Sequence, residues 1–277
     1  MPTAGHYHML RVNRISDHGL YLADEQGEEV LLPNRYVSMN DKPGDMLEVF
    51  VYHDSENRPV ATTERPLAAA GQAAFLEVVD KTIHGAFLDW GLPAKHLFLP
   101  NRNQQTRMEI GRRYVVFLYT DNLTGRVVAS TFLKGFVRND EITVAPGQQV
   151  DILVAQENPL GFRVIVDNRH WGMIYRNQIF RPVAVGDRMQ AFVVRITDDR
   201  RIDLSLQRQG YDEIREAAER LLGLLSEHGG TLPLCDDSDP ETVRSMTRMS
   251  KKTFKRSVGY LLKQGRLVME NGSIRSK

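Results

Sequence analysis

Apolar residues in the first three quarters of the chain come in short runs that are separated by Gly, Asp and Asn. Between residues 73 and 132 five such runs follow one another, each bounded by turn-forming residues. Short runs rich in β-branched and aromatic residues predict strands rather than helices. Five such strands in about sixty residues are typical of a small closed β-barrel. We therefore expect a barrel over residues 72–134.

The same layout occurs upstream of this stretch. The tetrapeptide Leu32-Pro33-Asn34-Arg35 recurs as Leu99-Pro100-Asn101-Arg102, and Val49–Tyr52 later corresponds to Val116–Tyr119. Self-similarity at a fixed spacing is the signature of repeated structural units. The constant register predicts that residues 1–65 form another barrel of the same kind.

A third and looser copy follows. Val185-Gly186-Asp187 corresponds to Ile110-Gly111-Arg112, and Gly172–Asn177 aligns with His96–Asn101. The glycine before the fourth strand supplies the positive φ that a turn needs at no steric cost. The sequence therefore predicts a third barrel. The third barrel is expected at residues 145–209. Short linkers are expected before the second barrel, at residues 64–71, and before the third barrel, at residues 135–140.

The last part of the chain has a different pattern. Apolar residues recur with the helical period between residues 211 and 228, and Asp239-Pro240-Glu241 is typical of a helix start. A further helix is predicted over residues 251–264, and Asn271-Gly272 between two short strands indicates a hairpin. Helix, short helix, helix and hairpin is the order of a winged helix. We expect this α+β domain over residues 211–277.

Composition adds limits to this mainly β architecture. The formal net charge is +1, so any affinity for nucleic acid must come from local patches. The single Cys235 excludes an internal disulfide framework and fits a reducing compartment. Apolar runs do not approach the ~20 residues that cross a bilayer, and the first residues lack a signal-peptide pattern. We expect a soluble, cytoplasmic protein without a membrane partner.

Positive charge is concentrated at the C-terminus. From Ser250 to Lys277 there are eight basic residues and one acidic residue. One side of the predicted last helix is apolar and should be buried; its residues are Phe254, Val258, Leu261 and Leu262. The basic candidates on and beside the opposite side are Lys252, Lys255, Arg256 and Lys263. Three interpretations stay open, namely a solvated helix face, contact with nucleic acid, and contact with an acidic protein.

The barrels supply a second set of candidates. Small barrels bind single strands by stacking bases on exposed aromatic rings in a positive groove. Core packing is the alternative for each ring, because side chains alternate along a strand. The candidates for nucleic-acid binding are Phe87, Lys95, Phe98, Phe162, Arg163, Trp171, Tyr175 and Arg176.

Two aromatic residues need separate interpretations. Trp90 could stack on a ligand at a loop tip or close the end of its barrel. Tyr21 holds the position in the first repeat that Phe87 holds in the second. Acids crowd the strands next to Tyr21 and should repel phosphate, so we expect little RNA binding there; they are Asp24, Glu25, Glu28 and Glu29.

Gly85-Ala86-Phe87-Leu88, followed by Lys95–Asn101, resembles the strand 2 to strand 3 motif of S1 RNA-binding domains, which are OB-folds. Three such repeats and a winged helix are similar in order to the conserved virulence factor B family of bacterial S1-domain proteins. The resemblance implies three S1-like OB-fold barrels, binding of single-stranded RNA, and a role in post-transcriptional regulation. Such a role implies the ribosome or RNA-processing proteins as further partners.

Signals for catalysis are weak. A glycine-rich phosphate loop and a Gly-x-Ser-x-Gly motif are both missing, and the histidines lack metal-ligand spacing. We therefore expect no enzyme activity, no cofactor and no metal site. The alternative function is a transcription regulator that reads duplex DNA with its winged helix and uses the barrels for protein contacts. A nuclease would need a carboxylate cluster that the sequence does not reveal.

Overall fold

The structure is a computed structural model that describes residues 2–93, 95–179, 181–207, 211–270 and 272–277, without the side chains of residues 211–213. The chain divides into two compact units. The first unit comprises Met1–Val144, Val150–Gln190 and Ile196–Asp203. The second comprises Ala145–Gln149, Ala191–Arg195 and Leu204–Lys277. None of the helices in the described part of the chain has the length and apolarity needed to span a bilayer.

Strands make up most of the molecule. Barrel 1 contains β1 (Tyr7–Ser16), β2 (Gly19–Ala23), β3 (Glu29–Pro33), β4 (Met46–His53) and β5 (Pro59–Thr62). Barrel 2 contains β6 (Ala73–Thr82), β7 (Gly85–Leu92), β8 (Lys95–Pro100), β9 (Arg113–Thr120) and β10 (Val127–Ser130). Barrel 3 contains β11 (Gln149–Asn158), β12 (Gly161–Val166), β13 (His170–Tyr175), β14 (Arg188–Ile196) and β15 (Ile202–Ser205).

All three barrels are closed and share one topology. The strand order in barrel 1 is β1-β2-β3-β5-β4, and the corresponding strands follow the same order in the other two. The third strand pairs in parallel with the fifth, as β3 does with β5 and β8 with β10. This confirms the prediction of a mainly β chain with three OB-like barrels.

The repeats also share one turn before the fourth strand. In each barrel a glycine with positive φ donates its N–H to a first-strand carbonyl at 2.8 Å. The pairs are Gly44 with Val12, Gly111 with Val78, and Gly186 with Val154. In each barrel the first strand shifts register directly after the accepting residue. The turn and the bulge therefore form one unit that the chain uses three times.

The third copy is aligned one residue differently from the sequence expectation. Gly85 pairs with Pro100 in barrel 2, and Gly161 pairs with Tyr175 in barrel 3. A Cβ at Gly161 would lie 2.1 Å from the carbonyl oxygen of Ile174, so only glycine fits this crossing. Arg176, rather than Asn177, therefore takes the place that Asn101 holds in barrel 2.

The core of barrel 2 continues into barrel 1. Phe50, Tyr52 and Val60 of barrel 1 belong to the same buried cluster as Trp90 and the rest of the barrel 2 interior. Residues 68–70 of the predicted linker 64–71 are also buried. The second half of this linker is thus packed against the barrels, and Trp90 (2% exposed) lies in the same buried cluster instead of at a loop tip.

Barrels 2 and 3 share a second cluster. It contains the buried Ala73 and Phe117 of barrel 2 and the buried Leu153 and Ile165 of barrel 3. Polar contacts add to it, because Asn168 Oδ1 accepts a hydrogen bond from the Ala73 N–H at 3.0 Å. Arg188 donates to the Ala73 carbonyl oxygen. Both backbone groups of Ala73 are therefore satisfied by side chains of the following barrel.

The C-terminal region has three helices and a small sheet. They are α1 (Tyr211–Glu227), β16 (Thr231–Leu232), α2 (Pro240–Thr247), α3 (Lys251–Lys263), β17 (Leu267–Glu270) and β18 (Ser273–Ser276). The strand order β16-β18-β17 completes a winged helix. Asp239 caps α2, Ser250 caps α3, and Gly272 follows Asn271, which lies outside the described residues.

One residue of the predicted buried face of α3 lies elsewhere. Phe254, Val258 and Leu261 are at most 1% exposed, but Leu262 is 39% exposed. The apolar stripe is therefore narrower than expected, and Ser257 completes it by donating its hydroxyl to the Thr253 carbonyl oxygen. The exposed side of the helix is correspondingly wider and includes Leu262.

Candidate nucleic-acid interface

A cleft with a volume of about 380 Å³ lies on barrel 2. Phe87 on β7 and Phe98 on β8 are cross-strand partners that line it. Their ring centroids are 5.2 Å apart and their planes are tilted by 41°. Each ring is half-buried, so part of its face is open to a ligand.

Strand alternation explains why these two rings face outward. Ala86 and Leu88 flank Phe87 and are fully buried, while Leu97 and Leu99 flank Phe98 and are at most 1% exposed. The neighbours fill the barrel interior, which leaves the intervening positions on the outer wall. The two predicted rings are thus brought together at one site.

Basic groups line one side of this cleft. Lys95 is half-buried, and its Nζ donates to the Asp54 carbonyl oxygen at 3.5 Å. Burial lowers the pKa of Lys95, and the nearby Arg126 lowers it further. The Arg126 Nε donates to Asn57 Oδ1 at 2.5 Å. Both contacts come from the turn between β4 and β5 of barrel 1.

Sequence reasoning missed several residues of this cleft. Arg126, His53, His84 and His96 all line it, yet only Lys95 was expected among its polar residues. Arg126 could have been found, because it holds the repeat position of Arg58 and Arg201, just before the fifth strand. His53 could not, since its part in the cleft depends on the packing of two barrels.

A second cleft, of about 470 Å³, lies at the equivalent place on barrel 3. Arg163, Trp171 and Tyr175 all line it. The Arg163 guanidinium lies over the Trp171 ring at 3.8 Å from the centroid, and burial lowers the Arg163 pKa. Tyr175 donates its hydroxyl to Asp203 Oδ1 at 3.1 Å. Three predicted residues thus meet here, with a planar cation where barrel 2 has Phe87.

Two candidates in barrel 3 do not belong to this cleft. Phe162 is 5% exposed and points into the barrel, because it pairs with Ile174 as Ala86 pairs with Leu99. Its ring is therefore part of the core, and its assignment as a stacking ring was wrong. Arg176 is exposed and forms an ion pair with Glu157 at 2.9 Å.

The corresponding surface of barrel 1 is closed by an ion pair. The Arg14 guanidinium covers the Tyr21 ring at 3.5 Å from the centroid. Glu29 holds Arg14 there with a hydrogen-bonded contact of 2.7 Å to its Nη2. Asp24 accepts hydrogen bonds from the N–H groups of Gln26 and Glu28, which fixes the adjoining turn. One face of the half-buried Tyr21 ring is consequently covered by a guanidinium whose charge is paired with Glu29.

Two family models match the chain. The model described as S1 domain matches residues 4–64 and again residues 70–131, and the CvfB-like winged helix domain matches residues 219–275. The chain belongs to the conserved virulence factor B family. The S1 and winged-helix domains of this family assign nucleic-acid binding to the chain.

Similar proteins cover most of the chain. Uncharacterized protein YitL of Bacillus subtilis (strain 168) is 27% identical over 271 residues, which is 95% of this chain and 90% of that protein. Conserved virulence factor B of Staphylococcus saprophyticus subsp. saprophyticus is 23% identical over 270 residues, 91% of this chain and 87% of its own length. A crystal structure of a multidomain protein with nucleic acid binding domains from Streptococcus pneumoniae TIGR4 is 20% identical. It aligns over 99% of this chain and 98% of its own with a TM-score of 0.41.

The winged helix of this conserved virulence factor B family member carries the remaining candidates. Lys252, Arg256 and Lys263 of α3 are exposed and form no ion pair with the described residues. Lys255 is also exposed and lies 4.0 Å from Asp236 Oδ2. Three cations on one helix face are thus available to a polyanion. Among the described residues no group of His, Cys, Asp and Glu has the arrangement of a metal site.

Proposed function

We propose that this protein binds single-stranded RNA through the clefts of barrels 2 and 3 and acts in post-transcriptional regulation without catalysing a reaction. The observation that carries the proposal is the pair of outward rings, Phe87 and Phe98, beside Lys95 and Arg126. Unpaired bases offer flat faces to such rings, whereas the bases of a duplex are stacked on one another. Each stacked base contributes about 1–3 kcal/mol and does so with little sequence preference.

Two sites on linked barrels increase the affinity of each other. The junction between barrels 2 and 3 is packed around Ala73, with Asn168 and Arg188 bonded to it. A strand held in one cleft therefore meets the next at a high effective concentration, which raises the apparent affinity without any new contact. Barrel 1 contributes little through its own face, because Arg14 and Glu29 cover Tyr21.

A second candidate function is binding of duplex DNA by the winged helix. The observation that favours it is the exposed row of Lys252, Arg256 and Lys263 on α3. A recognition helix with basic residues contacts the phosphates of a groove, and these contacts are independent of sequence. In this function the protein is a transcription regulator, and the barrels bind other proteins.

The test is a titration of labelled single-stranded RNA and duplex DNA at two salt concentrations. Phe87→Leu keeps most of the buried volume but removes the ring, and we expect it to weaken RNA binding about tenfold. Tyr21→Leu is the matched control at the same position of barrel 1, and it should leave the affinity unchanged. Retention of full affinity by Phe87→Leu would contradict the proposal.

Lys252→Glu separates the two functions. RNA preference that survives this change supports the barrels as the binding site, whereas duplex preference that it abolishes supports the transcription regulator. Intact RNA after incubation with magnesium is expected, and cleavage would show a nuclease instead. The cytoplasmic location and the association with the ribosome or RNA-processing proteins are part of the same proposal, and crosslinking in cells tests them.

A further inference from the structure

A turn of barrel 1 reaches the aromatic cleft of barrel 2. The turn follows β4, and its Asp54 carbonyl oxygen accepts from Lys95 Nζ at 3.5 Å. Its Asn57 side chain accepts from Arg126 Nε at 2.5 Å. His53 at the end of β4 also lines the cleft, and its Nδ1 is buried without a hydrogen-bond partner among the described residues. Barrel 1 thus contributes to this cleft although its own face is covered.

The cations at this place lack a carboxylate partner. The oxygens that Lys95 and Arg126 contact are a carbonyl and an amide oxygen, and neither residue forms an ion pair within the described chain. Asp54 is the nearby acid, but its carboxylate is bonded to Arg58 at 2.9 and 2.8 Å. It also accepts backbone N–H bonds at the same turn.

The repeats provide an internal comparison. Arg58, Arg126 and Arg201 precede the fifth strands of barrels 1, 2 and 3. Arg58 pairs with Asp54 at 2.8 Å and Arg201 pairs with Asp199 at 2.7 Å. Of these three arginines, only Arg126 lacks an ion pair within the described residues. In barrel 2 the Arg126 Nε donates to Asn57 across the junction instead, and Asp121, the acid of the same loop, is bonded to Arg102.

The positive charge of Lys95, Arg126 and His53 is not balanced by a carboxylate bonded to any of them among the described residues. Burial lowers the pKa of Lys95 most, the charge of Arg126 lowers it further, and the charge of Asp54 raises it. Burial also lowers the pKa of His53 most, the charges of Arg126 and Lys95 lower it further, and the charge of Asp54 raises it. Positively charged groups that are partly desolvated and repel one another are stabilised by an anion placed between them.

We infer that His53, Lys95 and Arg126 form an anion pocket, shared by barrels 1 and 2, that holds a phosphate of the RNA strand whose base stacks on Phe87. The phosphate is either the 5′-terminal group or an internal diester, since both present negatively charged non-bridging oxygens. His53 takes up a proton when the phosphate binds, because the anion favours its charged form. This inference rests on the proposed function.

The experiment measures the affinity of the full chain for a single-stranded uridine oligomer as a function of salt and pH. Arg126→Gln removes one phosphate contact, so the affinity should fall about tenfold and the slope of log K against log salt should decrease by about 0.7. Arg112→Gln is the matched control, since Arg112 is exposed in the same barrel and paired with Glu109. It should change neither quantity.

The pH dependence tests His53 separately. Wild-type affinity should rise as the pH falls towards and below 6.5, the ordinary pKa of histidine, because the lowered pKa of free His53 keeps its ring neutral there until the phosphate binds. His84 and His96 also line the cleft, so His84→Gln and His96→Gln are measured beside His53→Gln. Only His53→Gln should remove the rise, and it should leave the Phe87-dependent binding in place. Oligomers with and without a 5′-phosphate then distinguish the two sources. A larger effect of Arg126→Gln on the phosphorylated strand indicates the terminal group, and equal effects indicate a diester.

Two failures are distinguishable. If the wild-type chain binds the oligomer with the expected Phe87 dependence, but Arg126→Gln behaves as Arg112→Gln and His53→Gln keeps the pH rise, the anion pocket is refuted and the proposed function stands. If the wild-type chain binds no single-stranded RNA at either salt concentration, the proposed function is refuted, and the pocket with it.

Discussion

The indole Nε1 of Trp90 donates a hydrogen bond to the carbonyl oxygen of Ala68 at 2.7 Å. The Leu67 N–H of the same linker donates to the Trp90 carbonyl oxygen at 2.8 Å. The indole also meets the Phe50 ring of barrel 1 edge-on, with centroids 5.6 Å apart. One residue of barrel 2 thus fixes both the linker and the end of barrel 1.

This junction predicts a large stability effect for a small change. Trp90→Phe leaves the Ala68 carbonyl oxygen buried without its donor and opens a cavity, which should cost about 1–3 kcal/mol. The measurement is urea unfolding followed by circular dichroism. Trp171→Phe is the control, since Trp171 is half-buried and its indole has no such bond among the described contacts. Equal midpoints for the two variants would contradict this role of Trp90.

The covered face of barrel 1 leads to a second prediction. Glu29→Gln should release Arg14 from the Tyr21 ring and remove a charge that repels phosphate. We expect RNA affinity to rise about two- to fivefold, more at low salt than at high salt. Glu28→Gln is the matched control, because it removes the same charge from an exposed neighbour that forms no ion pair within the described chain. Equal gains would mean that net charge, and not the cover on Tyr21, limits binding.

The repeat architecture could be predicted from the sequence because its turn residues have the same structural role in each copy. Asn34 and Asn101 donate their side-chain amides to the carbonyl oxygens of Asp17 and Ile83, respectively, at 2.7 Å. Barrel 3 has Arg176 at this place, which is why the third copy could be aligned only to within one residue. Local turn chemistry is visible in a sequence when the same residue type is retained.

The candidate site could be predicted only in part. The sequence identified Phe87 and Phe98 as candidates but left core packing open for both rings, and the register and burial of β7 and β8 place them on the outer wall. The sequence pattern was informative here but not decisive. It did not identify Phe162 as a core residue, because the strand register of barrel 3 decides which of two neighbours faces inward. The contact between Asn57 and Arg126 depends on packing between barrels, which no local pattern encodes.

The junction of barrels 2 and 3 gives a third prediction. Asn168 has φ of 60°, so Asn168→Gly keeps the backbone conformation but removes the bond to the Ala73 N–H. We expect the two barrels to move more independently, which nuclear magnetic resonance relaxation would detect as separate tumbling. Arg169→Ala is the control, because the side chain of Arg169 is exposed. Unchanged relaxation in Asn168→Gly would show that the apolar cluster alone couples the barrels.

The loop that carries Arg126 depends on a single carboxylate. Asp121 accepts hydrogen bonds from the N–H groups of Thr124 and Leu123 at 3.1 and 3.0 Å and from Arg102 at 2.9 Å. These bonds lower the pKa of Asp121, and the bond from the Thr124 N–H has the largest effect. A carboxylate with a lowered folded-state pKa stabilises the fold above its ordinary pKa, and this contribution is lost as the pH falls through the lowered value.

Asp121→Asn should therefore reduce the unfolding temperature at neutral pH, and the difference from wild type should shrink as the pH falls from about 5 to about 2. Other carboxylates also titrate in this range, so the difference between the two proteins is the informative quantity. Asp140→Asn removes an exposed carboxylate between barrels 2 and 3 and is the control for loss of a surface charge; its effect on the unfolding temperature should be smaller than that of Asp121→Asn. A constant offset for Asp121→Asn would mean that the loop needs the shape of this side chain and not its charge. The anion pocket would then be expected to keep its geometry in acid.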